Sequence, residues 1–126
     1  MSLFRLNVIA KNPKDEARAT DKIEVLVDTG SELTWLPEAL LLAVGIGQRR
    51  RRTFTTATGV PVERSVGYAV LEADGYETVD EVVFGEPGDL ALLGVRTLEG
   101  FGVVVDPLGH RLVAVSTIAA GSQGER

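Results

Sequence analysis

The sequence predicts a small, mostly-β domain built as a barrel or sandwich of short strands. Three observations carry this. Apolar and polar residues alternate in several short runs, turn-forming residues recur about every 8 to 12 residues, and only two short stretches have helical character. The chain has 126 residues, enough for one domain with a real core and too few for two.

Taken in order, residues 3–10 (LFRLNVIA) alternate partially and read as a strand. Residues 12–20 are polar, contain Pro13 and read as a loop. In residues 21–28, Ile23, Val25 and Val27 alternate with Lys22, Glu24 and Leu26. This is a strand whose last residues are apolar on both faces, so its end should be buried. Residues 37–44 (PEALLLAV) place Pro37 in a first helical turn and Gly45 beyond the last, the marks of a short helix. Residues 49–56 and 60–71 read as a hairpin whose tip is Ala57-Thr58-Gly59. Asp74-Gly75 supplies the positive φ angles of a second hairpin turn, and residues 76–84 return from it. Residues 86–89 (EPGD) form a loop, and 95–99 a second short helix. Residues 103–107, a turn at Leu108-Gly109 and residues 111–115 close the domain. Residues 1–115 thus make one domain, and 116–126 a small, polar tail that is frayed or partly held in an interface.

Composition narrows the function. Apolar residues make up 44% and charged residues 25%, with a net charge of −5. The acidic balance argues against nucleic acid as a partner, since phosphate binding needs a basic face. There is no cysteine, which removes disulfides and thiol chemistry. The single histidine, His110, cannot make a zinc site alone and reads as a surface turn residue. Neither Ser31 nor Ser65 has a nucleophile-elbow context. Gly94, Gly100 and Gly102 lack the strand-to-helix setting of a dinucleotide fingerprint. The start of the chain turns charged within a dozen residues, unlike a secretory leader. The apolar run from Leu36 is too short and too interrupted to cross a bilayer. The expectation is a soluble cytoplasmic protein with neither metal nor cofactor. Arg49 to Arg52 form a basic run, but alternation puts two on each face, so it reads as a solvated strand start. Trp35, the one tryptophan, reads as a core or helix-packing residue ahead of a pocket wall. Asp74 and Asp106 read as turn residues.

Asp28 stands out. It follows Val25-Leu26-Val27 and precedes Leu33, Trp35 and Leu36. A carboxylate between apolar segments is costly unless it is hydrogen-bonded or shares a proton, and such a cost is commonly kept for chemistry. The stretch Leu26-Val27-Asp28-Thr29-Gly30-Ser31, the hairpin around Ala57-Thr58-Gly59 and the later Leu92-Leu93-Gly94 follow one another in the order seen in retropepsin-like (clan AA) aspartic proteases. The chain resembles that family over about residues 3 to 115. Its ending, LLGVRTLEGFGVVVDPLGHRLV, is similar to small bacterial members.

The resemblance implies a closed β-barrel with one or two short helices, and an aspartic endopeptidase acting on polypeptide. Asp28 would be the catalytic carboxylate. Thr29 would brace the loop across a two-fold, Gly30 would allow the tight turn, and Ser31 would donate to the carboxylate and favour work at acidic pH. Ala57, Thr58 and Gly59 would be the flap, and Leu92, Leu93 and Gly94 the hydrophobic-hydrophobic-Gly motif. This chemistry needs two carboxylates, and Asp-Thr-Gly occurs once. The implied active form is therefore a homodimer, with residues 3–10 and 113–118 as candidate interface strands. A dimeric binding or scaffold module of the same fold, cleaving little or nothing, is the alternative.

Overall fold

A computed structural model describes residues 2–116. The tail from residue 117 onward, Ile118 of the expected interface included, lies outside them. Along the described residues run β1 (Ser2–Asn12), β2 (Asp15–Ala19), β3 (Ile23–Asp28), β4 (Thr34–Pro37), α1 (Glu38–Ala43) and β5 (Arg50–Thr55). β6 (Pro61–Ala73), β7 (Tyr76–Gly85), β8 (Leu92–Leu93), α2 (Val95–Phe101), β9 (Val103–Asp106) and β10 (Arg111–Ala114) follow. The protein is mostly β, as its alternation predicts.

Eight strands form one sheet in the order β2-β1-β3-β8-β4-β7-β6-β5. A further pairing of β1 with β6, through Ile9 opposite Glu72 and Lys11 opposite Val70, joins the sheet back on itself. β9 and β10 pair separately as a two-stranded hairpin. The inside of the ring holds the core: Val8, Val25, Val27, Leu36, Leu71, Val82, Phe84 and Leu93 are all essentially inaccessible. Each such side chain contributes about 1.5–3 kcal/mol by leaving water. On β3 the burial alternates as the sequence does, with Ile23, Val25 and Val27 inward.

The long hairpin of β6 and β7 turns at Asp74-Gly75, with φ of 51° and 82°, the two positive values that a two-residue hairpin turn matching the strand twist requires. Asp74 therefore has the turn role read from the sequence. So does Asp106, whose Oδ1 accepts from the backbone N–H of Leu108 and Gly109. His110 is exposed in that turn, at a φ of 51°, and stacks on Phe4 at 5.7 Å between ring centroids.

Four readings need correction. The span 12–20 is not a loop throughout, because Asp15–Ala19 forms β2. Every residue of β2 is exposed, so it has no apolar alternation to reveal it; the edge of β1 templates it, with Asn12 opposite Asp15. Two strands escaped the reading of the sequence. β4 and β8 are four and two residues long, and both owe their geometry to strands distant in sequence. Pro37 ends β4 and caps α1 rather than entering its first turn. Lastly, α2 runs past Glu99 to Phe101, which is buried with Thr97 and Leu98. No helix among the described residues is long and apolar enough to cross a membrane.

Candidate active site

The site begins where β3 ends. β8 lies parallel to β3, with Leu26 opposite Leu92 and Val27 opposite Leu93, and it also pairs antiparallel with β4, Leu92 lying opposite Trp35. β8 is thus wedged between the strand that enters the Asp28 loop and the strand that leaves it. The loop must pass around Gly94. A Cβ on Gly94 would meet the Leu33 carbonyl carbon and oxygen at 2.5 Å and the Glu32 oxygen at 2.9 Å. Backbone cannot yield as a side-chain tip can, so the position admits only glycine. The hydrophobic-hydrophobic-Gly motif is a packing device: Leu93 fills the core and Gly94 seats the loop.

Backbone groups fix the loop further. The Gly30 N–H donates to Asp28 Oδ1 at 2.9 Å, and the Ser31 N–H to the Asp28 carbonyl at 3.1 Å. The first N–H groups of a helix have no partner within it; here the Val95 and Arg96 N–H groups donate to the Ser31 and Glu32 carbonyls at 2.8 and 3.0 Å. The loop therefore closes one end of α2.

Beneath the loop runs a buried polar chain. The Gly94 N–H donates to Thr34 Oγ1 at 3.0 Å, Thr34 and Thr97 share a hydroxyl contact of 2.6 Å, and Thr97 Oγ1 donates to Asp80 Oδ2 at 2.9 Å. A hydroxyl has one proton, so Thr97 giving its own to Asp80 makes Thr34 the donor to Thr97. Thr34 and Thr97 are fully buried, and every link has a donor and an acceptor, as buried polar groups require.

Asp28 is half-buried, while Thr29 and Gly30 are exposed. Ser31 departs from its expected role, because its hydroxyl donates to the Leu33 carbonyl at 2.7 Å. A proton spent there is not donated to Asp28 in this arrangement, so Ser31 shapes the loop.

The loop forms one wall of a cleft of about 610 Å³. Asp28, Gly30, Ser31 and Glu32 line one side, and Thr55, Thr56 and Ala57 of the β5–β6 hairpin face them. Leu90 and Leu92 line it as well. The expected loop, hairpin and hydrophobic motif therefore meet at one place. Thr58 and Gly59 sit beyond the cleft at an exposed tip, where the Gly59 N–H donates to the Thr56 carbonyl and φ is 84°. Leu93 lies in the core and Gly94 against the Leu33 and Glu32 backbone, so neither lines the cleft.

The cleft also holds residues read from the sequence in another role or in none. Trp35 is half-buried in its wall, edge-on to Phe54 at 5.2 Å between ring centroids, over a small cluster of Leu33, Val66 and Val83. The core role read for it holds only in part. Arg64 on β6 and Asp89 in the 86–89 loop also line the cleft. They join as a two-pronged pair, Nε to Oδ2 at 2.8 Å and Nη2 to Oδ1 at 3.1 Å. This pair holds the Asp89 carboxyl below its ordinary range, aided by the Glu86 N–H, and burial works against the shift. The only hint in the sequence is an arginine amid strand residues.

The arginine run divides by face as alternation requires. Arg50 and Arg52 both bind the buried Glu81, at 3.0 and 2.9 Å, and Arg51 binds Glu63 on the other side. Arg49 lies over the Tyr68 ring. The run is thus more than a solvated strand start, since two of its members neutralise a carboxylate that is only 5% exposed. Among the described residues no group of three or more His, Cys, Asp and Glu side chains is placed to hold a metal ion.

No family model matches the chain, and no curated protein sequence matches it. The functional reading therefore stands on the residues and their arrangement.

Proposed function

We propose that the chain is one half of an aspartic endopeptidase of the retropepsin type, active as a homodimer on polypeptide substrates. One observation carries this reading. The Asp28 loop and the β5–β6 hairpin enclose a single cleft, while the sequence supplies Asp-Thr-Gly once. The exposure of Thr29 and Gly30 supports it, because those residues would face a second copy across the two-fold.

In the assembled pair, the two Asp28 carboxylates would lie a few ångströms apart. Like charges that close cannot both persist, so the pair holds one proton. The ionised carboxylate takes a proton from a water molecule as that water's oxygen bonds to the scissile carbonyl carbon. The protonated carboxyl gives its proton to the carbonyl oxygen. The tetrahedral diol then collapses: the departing nitrogen takes the dyad's proton as the C–N bond breaks, and one diol hydroxyl returns its proton to the dyad as the C=O bond re-forms. The chemistry needs neither metal nor cofactor. Nothing in a cysteine-free chain demands an oxidising compartment, and the reading places the enzyme in the cytoplasm.

A second reading keeps the dimer and removes the chemistry. The hairpin tip, Ala57-Thr58-Gly59, carries no aromatic residue to clamp a substrate, which suits a binding module of the same fold. One experiment separates the two. The purified protein and Asp28→Asn are incubated with an unfolded protein from acidic to neutral pH, with the oligomeric state followed by sedimentation. Cleavage by the parent that falls to background in the variant supports the enzyme. A folded dimer that cleaves at no pH supports the module, and a protein that stays monomeric at high concentration defeats the shared-dyad mechanism.

A further inference from the structure

The β5–β6 hairpin is held to the rest of the molecule unevenly along its length. Arg52 on β5 sits directly opposite Arg64 on β6, a cross-strand placement of like charges that is unfavourable if left alone. Each is drawn to a different carboxylate. Arg52 reaches Glu81 on β7 at 2.9 Å, and Arg64 reaches Asp89 in the following loop at 2.8 Å. The row thus ties the hairpin to two separate parts of the chain.

The second tie is the tighter. Arg64 and Asp89 side chains are only 15% and 20% exposed. The contact is a fork on a planar carboxylate, the geometry that fixes position as well as charge. Asp89 Oδ2 also accepts from the Glu86 N–H at 2.8 Å, which shapes its own loop, and Arg64 Nη1 stands 3.6 Å from Glu86. Beyond this row, toward the tip, the character changes. Thr53, Phe54 and Thr55 pair across the strands only with Glu63, Val62 and Pro61, and residues 55–61 are exposed. Phe54 joins this stretch to the cleft wall through its edge-on contact with Trp35.

We propose that the Arg64–Asp89 pair is a clasp that sets the height of the hairpin over the cleft, with residues 53–62 pivoting as a tip at the Arg52–Arg64 row. A bound extended polypeptide would lie between this tip and the Asp28 loop. Arg64 and Asp89 are then positioning residues, acting through the hairpin and not on the reacting atoms. The part of the claim that concerns catalysis rests on the proteolytic reading; the part that concerns the hairpin does not.

The test compares the parent with Asp89→Asn, Arg64→Lys and the swapped double variant Arg64→Asp/Asp89→Arg. Arg64→Lys keeps the charge and loses the fork, and it carries the decision if Asp89→Asn fails to fold. Amide exchange over residues 53–62 and quenching of the single tryptophan, Trp35, by acrylamide report on the tip without any substrate. We expect exchange in the tip to quicken about five- to tenfold in Asp89→Asn, as loss of a partly buried forked pair would produce. Quenching should rise with it, exchange in β3 should stay as in the parent, and the swap should restore part of the effect. With a peptide substrate, KM should rise by a similar factor while the pH profile of kcat is unmoved. Folded variants whose tip exchange and Trp35 quenching equal the parent's would overturn the clasp. A parent that cleaves nothing would defeat the proteolytic reading, while exchange and quenching would still decide the clasp.

Discussion

The two walls of the cleft are built on opposite principles. The Asp28 wall is a backbone structure: its carbonyls close the start of α2, its turn is fixed by its own N–H groups, and Gly94 presses against it from below. The hairpin wall is a side-chain structure, held by arginine-carboxylate pairs and one aromatic contact. Backbone hydrogen bonds and a fully buried hydroxyl chain leave little freedom, whereas ion pairs between long, partly exposed side chains allow more. The contrast teaches that one wall is built to stay fixed and the other to adjust, a division that would suit the proposed function, in which a carboxylate holds its place while a substrate enters.

Perturbing each wall measures the contrast. The largest effect on stability should come from Gly94→Ala, since the new Cβ meets backbone at 2.5 Å. Overpacking of this kind costs about 1–3 kcal/mol or more, and thermal unfolding should show the midpoint falling by several degrees. Next comes Thr34→Val, which strands the Gly94 N–H and removes the donor to Thr97. A buried group left unsatisfied costs about 1–3 kcal/mol, readable by denaturant unfolding. Ser31→Ala should be milder, about 1 kcal/mol for one lost hydrogen bond. Because that hydroxyl serves Leu33, the pH–rate profile should keep its position, and a displaced acid limb would restore a direct role at Asp28.

The smallest effect belongs to the hairpin wall and to acid. The groups facing Asp89 are Arg64 and the Glu86 N–H, and Arg64 also feels Glu86 and Glu38. Asp89's folded value lies below the ordinary one, about 3.9 for Asp, so its contribution to stability is fully present above that value and is lost as pH falls through the lowered one. The clasp should therefore survive the mildly acidic range in which a shared-proton dyad works. Trp35 fluorescence followed from neutral to acidic pH should change only below pH 3.9; a change centred above it would mean that the clasp does not govern the hairpin.

How much of this was legible depended on distance along the chain. β3, the two hairpin turns and the helix at residue 95 announce themselves by alternation, Asp-Gly chemistry and local periodicity. The Asp28 loop was legible because a carboxylate among Val25, Val27 and Leu33 is conspicuous in a few adjacent residues. β8 was not, since two leucines become a strand only by lying between β3 and β4. Nor was the chain from Thr34 through Thr97 to Asp80, whose members lie 63 and 17 residues apart and show no common pattern. Trp35 was assigned to the core because size and apolarity favour burial, but the cleft wall satisfies the same preference with one face open.

The joining of β1 to β6 bears on how the molecule comes into being. Lys11 and Glu72, which meet at that seam, stand 61 residues apart. The loop entropy for such a meeting must be spent before any contact repays it. The seam therefore belongs to the late stages of folding. Until it forms, β1 keeps an open edge, and on the ribosome that edge waits for more than half of the chain to emerge.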